Sequence, residues 1–308
     1  MKFLFALLFL TLTTASTAFA EDCSEIRLDQ SVLKHVSLAN QGSSNLCYAY
    51  AAAQLVDAYR ASQGVLTSPI SPLLLAAQTI RATDDERNSI YGGWVQTALE
   101  TAQKEDLCSG NPLTPPDALL QELEALYKKS RAGEDKSAIA VKVRDALLQQ
   151  GAQIVPSQDD IQGFLSLGLS KFVGHALAST CKGSVDIPLP SSQSLFRRDS
   201  GSQGLASEVH RQLEQNHPVA VNFCADVVTR RSFSPGYGDN SCSRHYAVIV
   251  GRANIEGQCH FLVRDSQCDK YKTKDGSPIC KDSQYWILNY QLMNNTDGIT
   301  WLDTTSAP

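Results

Sequence analysis

The sequence predicts an α+β fold, in which helices come first along the chain and an antiparallel sheet follows. In the first two thirds of the chain, apolar residues recur at helical spacing between polar ones. From Pro218 onward, short runs rich in Val, Ile, Tyr and Phe alternate with polar turns, as is typical of strands. Helices and strands that are segregated in this way indicate two packed subdomains rather than a repeating β-α unit.

The first 20 residues are typical of a cleaved secretory signal peptide. Lys2 precedes an apolar run, residues 3–12, that is too short to span a bilayer, and Ala18-Phe19-Ala20 is a small-x-small cleavage site. We therefore expect a mature chain of residues 21–308 that is secreted or periplasmic and has no membrane anchor.

Three helices are expected in a helical part that covers about residues 40–111. They are predicted over residues 47–61, 72–80 and 95–104, and Pro72 suits the first turn of the second helix. The stretch Tyr91-Gly92-Gly93-Trp94 is a turn that leads into the third helix.

Residues 112–205 differ in character and are expected to form a helical insertion. Polar helices are predicted over residues 116–130 and 137–150, followed by a mixed apolar and glycine-containing stretch to residue 178. Residues 184–204 are rich in Ser, Pro and Gly and are expected to be a loop. The insertion is expected either to cover the functional cleft or bind a partner, or to be a peripheral decoration.

The last part, about residues 206–308, is expected to be rich in strands. A helix is predicted over residues 205–215. The predicted strands share β-branched and aromatic composition and cover residues 219–223, 246–251, 260–264 and 285–292.

Composition excludes several functional classes. The net charge is −5 and charged residues make up 19% of the chain, which is ordinary for a soluble globular protein. Neither a basic stripe nor a basic amphipathic helix is present, so neither nucleic acid nor a membrane surface is an expected partner.

The nine cysteines, all after the signal peptide, indicate disulfides and one spare thiol. In an oxidising compartment thiols pair, and nine is odd, so the simplest division is up to four disulfides and one free cysteine. The pairing itself stays open, because eight cysteines allow 105 connectivities. Neither a Cys-x-x-Cys motif nor a tight Cys/His cluster occurs, so no metal site is expected.

Cys47 stands in a context that favours covalent catalysis. It follows Gln41-Gly42 and begins a predicted helix, so its thiol would lie at the positive end of the helix dipole, which stabilises a thiolate. Because a thiolate is a good nucleophile at neutral pH, we predict that Cys47 is the free, catalytic cysteine.

A cysteine nucleophile needs a base and a group that orients the base. His245 is the best candidate base because it begins a predicted strand, which would hold the ring rigidly. Asp265 follows the next strand and is expected to orient the imidazole. Gln41 is expected to stabilise an oxyanion together with the Cys47 backbone N–H. The other histidines are expected to be structural or surface residues: His35, His175, His210, His217 and His260.

These blocks resemble the papain-like (C1-type) cysteine peptidases. Gln41-Gly42-Ser43-Ser44-Asn45-Leu46-Cys47-Tyr48-Ala49-Tyr50 resembles the family's Gln-Gly-x-Cys-Gly-x-Cys-Trp-Ala-Phe motif, with the same spacing from Gln to Cys. Gly92-Gly93-Trp94 is similar to its Gly-Gly turn, residues 245–251 to its His-Ala-Val…Val-Gly strand, and Arg264-Asp265-Ser266 to its Lys-Asn-Ser. The four blocks stand in the family's order and cover about residues 40–107 and 205–292.

The resemblance implies a papain-like fold with a helical subdomain and a barrel-like antiparallel β subdomain. It implies hydrolysis of peptide bonds in a peptide or protein substrate, without a cofactor or metal. It also implies that Gly92 and Gly93 contact the substrate backbone and that Asn222 faces a specificity pocket.

Two other functions stay open, the first of them because of three departures from the family pattern. Ser44 replaces a structural cysteine, Asp265 replaces the usual Asn, and Gln267 stands where a shielding Trp is usual. One alternative is a catalytically inactive binding protein on the same fold. Another is an acyl-transferring enzyme, of the transpeptidase or transglutaminase kind, in which an amine instead of water receives the acyl group.

Overall fold

The computed structural model describes residues 23–65, 68–84, 87–109, 116–181, 184–185, 188–229, 242–273 and 275–304. The predicted signal peptide lies outside these residues. Helices and an antiparallel sheet build the fold, which confirms the predicted α+β class. Within the described ranges, no helix has the length and apolar character needed to cross a bilayer.

The first three helices lie close to their predicted bounds: α1 is Cys47–Ser62, α2 is Pro72–Ala82 and α3 is Val95–Lys104. The Ser71 hydroxyl caps α2 by accepting a hydrogen bond from the Leu74 backbone N–H. Helix α1 is buried along most of its length, because it packs against α2 and α3 and also against the sheet. It is therefore the central helix of the molecule.

The described part of the predicted insertion begins with four helices: α4 (Pro116–Arg131), α5 (Lys136–Gln149), α6 (Gln158–Phe164) and α7 (Leu169–Ala178). Asp135 caps α5, and Ser157 with Asp160 forms a capping box at α6. Helix α7 packs closely along α2, so the insertion is joined firmly to the helical part.

Among the described residues, the main sheet has seven antiparallel strands. Its strands are β1 (Ile26–Arg27), β4 (Ser192–Phe196), β5 (Val219–Cys224), β6 (Arg244–Ile255), β7 (Gln258–Arg264), β8 (Gln284–Leu288) and β9 (Thr296–Leu302); β2 (Leu107–Cys108) and β3 (Ser184–Val185) form a separate pair. The order in the main sheet is β4-β9-β5-β6-β7-β8, and β1 pairs with β6. Strands β4 and β8 are edges that do not pair with each other, so the sheet is open rather than barrel-like.

Two predictions of local structure were wrong. Residues 184–204 are not one continuous loop, because Ser192–Phe196 pairs along its whole length with β9 and α8 (Arg197–Glu214), which is kinked at Gly201, follows directly. The predicted strand 285–292 ends at Leu288, and a short helix, α10 (Asn289–Asn294), leads from it into β9. A further short helix, α9 (Asp226–Thr229), follows β5.

The structure has three disulfides: Cys23–Cys259, Cys108–Cys181 and Cys268–Cys280. The first ties the N-terminal segment to β7, and the second ties β2 to the end of the insertion helices. Cys47, Cys224 and Cys242 are free thiols. The sequence predicted up to four disulfides and one free thiol, whereas the structure has three disulfides and three free thiols.

Candidate active site

Cys47 is the first residue of α1 and is half-exposed. The alanine-rich sequence that follows has high helix propensity, and the buried side chains of Leu46 and Tyr48 anchor the start of the helix in the core. The first backbone N–H groups of a helix have no partner within it, so they are directed at whatever binds there. The thiol thus stands at a helix N-terminus, as the sequence predicted.

His245 is held on β6, between β5 and β7. It pairs in register with Phe223 of β5, whose ring meets the imidazole edge-on with 5.8 Å between centroids. The imidazole side chain is only 4% exposed. Packing on a central strand therefore fixes the orientation of the ring.

Asp265 lies beside His245 at the end of β7. The Nε2 atom of His245 is 2.8 Å from Oδ1 of Asp265, whose side chain is fully buried. The same carboxylate accepts hydrogen bonds from the Gln267 backbone N–H at 2.8 Å and from the Tyr285 hydroxyl at 3.4 Å. Because these donors satisfy the carboxylate, Asp265 can remain buried beside the histidine.

The surroundings of His245 favour its protonated form. Burial lowers the pKa of the imidazole, but the charge of Asp265 and its hydrogen bond, together with the hydrogen bond and charge of Cys47, outweigh burial and raise the pKa to about 10. Since Nε2 is used by Asp265, Nδ1 is the ring nitrogen left for the Cys47 thiol. His245 therefore links the thiol to the carboxylate.

Gln41 is fully buried against the turn that follows Asp265. Its Nε2 donates to the Ser44 carbonyl at 2.7 Å, its Oε1 accepts from the Ser266 hydroxyl at 2.5 Å, and its backbone N–H donates to the Ser266 carbonyl at 3.1 Å. A primary amide carries two N–H groups, and the bond to Ser44 uses one of them. The structure thus couples the loop before Cys47 to the segment that carries Asp265.

Ser44 and Gln267, two of the three positions that depart from the papain-like pattern, both contribute to this coupling. The Ser44 hydroxyl donates to the Gln41 carbonyl at 2.8 Å, which closes the turn without a disulfide. The Gln267 side chain donates to the Ser44 carbonyl at 3.4 Å. Polar contacts thus hold the loop before Cys47 in place.

Helix α4 of the insertion also holds the loop before Cys47. One oxygen of Asp117, Oδ2, accepts from the Ser43 backbone N–H at 2.6 Å and from the Ser43 hydroxyl at 2.8 Å. Further along α4, Glu124 accepts from the Tyr91 hydroxyl at 3.4 Å. The insertion therefore contacts both the Gln41 loop and the turn at Gly92 and Gly93.

The turn at Gly92 and Gly93 lies over the first residue after the candidate nucleophile. Gly92 exchanges backbone hydrogen bonds with Ser89, which closes the turn. A Cβ atom on Gly93 would stand 2.7 Å from the ring of Tyr48. Only glycine therefore allows this turn to approach the start of α1 so closely.

A cavity of about 560 Å³ lies between α3 and the sheet. On one side it is lined by Glu100 of α3 and by Trp94, which caps that helix. On the other side it is lined by Asn222 of β5 and by an ion pair between Arg244 of β6 and Asp297 of β9. The Oδ1 atom of Asn222 is buried and has no hydrogen-bond partner among the described residues. Two of its lining residues, Trp94 and Arg244, are the direct sequence neighbours of Gly93 and His245.

The structure brings together Cys47, His245 and Asp265, with Gln41 on the adjoining loop. Sequence reasoning missed two contributors, Ser266 and Asp117. Ser266 belongs to the Arg264-Asp265-Ser266 block, so its position next to Asp265 was a usable signal. Nothing in the sequence marked Asp117, because its contact with Ser43 spans 74 residues of chain.

Several solved structures share this fold. Xylellain, a cysteine protease from Xylella fastidiosa, has a TM-score of 0.52 at 14% identity, with 91% of this chain and 85% of xylellain covered. A structure from work on the mite allergens Blo t 1 and Der p 1 has a TM-score of 0.52 at 12% identity, covering 94% and 73% of the two chains. ProCathepsin B S9 from Trypanosoma congolense has a TM-score of 0.51 at 12% identity, covering 90% and 76%.

No protein-family model matches the sequence, and no curated protein matches it. The class is therefore defined by structure: the chain has the papain-like fold of cysteine peptidases. This finding confirms, for the fold, the resemblance that the four sequence blocks indicated.

Proposed function

We propose that this chain is a cysteine peptidase with Cys47 as nucleophile and His245 as general base and acid. The single observation that carries the proposal is the position of His245, whose Nε2 lies 2.8 Å from Oδ1 of Asp265 and whose pKa is raised by both Asp265 and Cys47. The fold shared with xylellain, described as a cysteine protease, supports it.

The proposed reaction begins with a proton transfer within the pair. Nδ1 of His245 takes the proton of the Cys47 thiol, and the imidazolium that results is stabilised by Asp265 at Nε2. The thiolate then attacks the carbonyl carbon of a peptide bond. His245 returns the proton to the leaving amine, and a water molecule activated by the neutral imidazole releases the acyl group from Cys47.

Stabilisation of the negative oxygen formed during the attack is assigned, as part of the proposal, to Gln41 and the start of α1. The backbone N–H of Cys47 and the second N–H of the Gln41 side chain are the proposed donors. Replacing Gln41 with Ala should lower kcat by about 100-fold to 1,000-fold, the usual effect of losing one such donor.

The substrate is proposed to be an extended peptide that passes Gly92 and Gly93. Gly92 uses its backbone N–H and C=O in the turn with Ser89, so Gly93, which stands beside the start of α1, is proposed to offer its backbone to the peptide. The cavity at Asn222 would then receive a substrate side chain.

Export to an oxidising compartment is a further part of the proposal. Residues 1–20 have the pattern of a signal peptide, and three disulfides are typical of exported proteins. N-terminal sequencing of the mature protein should give Glu21 as its first residue. A mature protein that still begins at Met1 would contradict export by this route.

Peptide cleavage by wild type and by two cysteine variants tests the proposal. Cys47→Ala should abolish cleavage of a mixed peptide library, whereas Cys242→Ala, which removes another half-exposed thiol, should retain it. Circular dichroism should confirm that both variants are folded. Cleavage by folded Cys47→Ala at the wild-type rate would disprove the assignment of the nucleophile.

A further inference from the structure

Two thiols besides Cys47 remain after the three disulfides are counted, and they are neighbours. All nine cysteines lie among the described residues, and Cys224 and Cys242 are the other two free ones. Cys224 is the last residue of β5 and is fully buried, whereas Cys242 lies two residues before β6 and is half-exposed.

The strands that carry these thiols run side by side at this point. The β5–β6 ladder reaches the pair Cys224 and Arg244, and the next backbone hydrogen bond joins the Ala225 N–H to the Ser243 carbonyl at 2.9 Å. Cys242 is therefore a diagonal cross-strand neighbour of Cys224. The Cys242 side chain is close enough to Cys224 to raise the pKa of its thiol.

Asp226 strengthens this arrangement from the short helix α9. Its Oδ2 atom accepts from the Cys224 thiol at 3.6 Å and from the Ser243 backbone N–H at 3.1 Å. One carboxylate therefore contacts both sides of the hairpin beside the thiol pair.

We propose that Cys224 and Cys242 are a site of disulfide formation, which adds a fourth crosslink across the β5–β6 hairpin next to His245. The oxidant is a small-molecule or protein disulfide, which exchanges with the pair. In this state the cysteines divide into four bridges and the single free thiol of Cys47.

The two cysteines react with the oxidant in a defined order. Cys242 is the thiol that an oxidant can reach, while burial and the hydrogen bond with Cys242 raise the pKa of the Cys224 thiol to about 12. The Cys242 thiolate attacks one sulfur of the oxidant, whose S–S bond breaks, and the departing sulfur takes up the proton that Cys242 lost.

Cys224 completes the exchange. Its thiolate attacks Sγ of Cys242 in the mixed disulfide, and the second oxidant sulfur leaves with the proton from Cys224. The two cysteines lose two electrons in total, and the oxidant disulfide is reduced to two thiols. The new S–S bond joins the two strands.

The crosslink bears on the site because the hairpin carries His245. Cys242 lies three residues before His245, and Cys224 adjoins Phe223, which packs on the imidazole. This consequence rests on the proposed function: the disulfide would fasten both strands on which the orientation of the general base depends. The crosslink itself does not depend on that function.

Peptide mapping of the full-length protein without reduction is the direct test. After incubation with oxidised glutathione, we expect a peptide pair joined through Cys224 and Cys242, with neither of these two cysteines open to alkylation. Two outcomes would overturn the proposal: alkylation of both cysteines after the incubation, or stable attachment of glutathione to Cys242. The same experiment on Cys47→Ala should give the same linked pair, so the result is independent of whether the chain is a peptidase.

Thermal unfolding supplies a second readout with a matched control. The oxidised protein should melt about 5 °C higher than the form with free Cys224 and Cys242, because closing a loop of this size constrains the unfolded chain. The half-exposed Cys242→Ser variant should fold and show no change of Tm with oxidised glutathione. A similar rise of Tm in Cys242→Ser would overturn the assignment of the stabilisation to this pair.

Discussion

Nε2 of His245 and Oδ1 of Asp265 lie 2.8 Å apart in a position closed to solvent, where the two side chains are 4% and 0% exposed. In such a place the carboxylate stabilises the charged imidazole strongly, because water screens the pair little. The position is one at which the papain-like pattern has Asn. The effect of the negative charge of Asp265 on the protonation of His245 is therefore a property to test in this protein.

The first prediction concerns the pH dependence of peptide cleavage. Since the pKa of His245 is about 10, kcat/KM of the wild type should fall as the pH rises past about 10, where His245 loses the proton needed by the leaving amine. Asp265→Asn removes a charge that raises this pKa, so the fall should move to lower pH by roughly 1–3 units. An unchanged alkaline limb would show that Asp265 does not set the protonation of His245.

The second prediction concerns stability. The pKa of His245 is higher in the folded protein than its ordinary value of 6.5, so the folded state binds more protons between pH 6.5 and about 10. The His245 contribution to the free energy of unfolding is therefore complete below pH 6.5 and is lost as the pH rises to about 10. Urea unfolding of wild type and His245→Gln should show a difference that shrinks over this range. A difference that grows with pH would reverse the sign and contradict the account.

The third prediction concerns the close approach of Gly93 to Tyr48. Gly93→Ala would place a Cβ atom 2.7 Å from the Tyr48 ring, which is fully buried and cannot move aside without repacking. We expect a loss of about 1–3 kcal/mol in the free energy of unfolding. Gly163→Ala is the matched control, since a Cβ atom there meets nothing within 4 Å in helix α6. Equal effects of the two substitutions on urea unfolding would refute the close contact.

The fourth prediction concerns the insertion. Asp117→Asn keeps the shape of the side chain but removes the charge that receives both Ser43 hydrogen bonds, so the Gln41 loop should be held less firmly. We expect kcat/KM for peptides to fall about 10-fold, which corresponds to about 1.4 kcal/mol. Glu122→Gln, an exposed change on the same helix, is the control. Equal activity in both variants would show that α4 only decorates the fold.

The sequence was most informative where function and local structure coincide. Cys47 at a helix start and His245 on a strand were predictable because propensity and chemistry agree at both residues. Residues 192–196 were not predictable as a strand, because their extended shape depends on pairing with β9, about 100 residues away. The Asp117–Ser43 contact and the disulfide pairing depend on the packed fold in the same way, and no local pattern encodes them.

The central claim is that Cys47 is the reactive thiol of a Cys47–His245–Asp265 site. A peptide that carries an epoxide, followed by peptide mapping, tests this claim most directly, because Cys47 competes for the label with Cys242, the other partly exposed free thiol. The account predicts a single modified residue, Cys47, and a large loss of labelling at pH 7 in folded His245→Ala. Labelling of Cys242 in preference to Cys47, or unchanged labelling of Cys47 without His245, would contradict it.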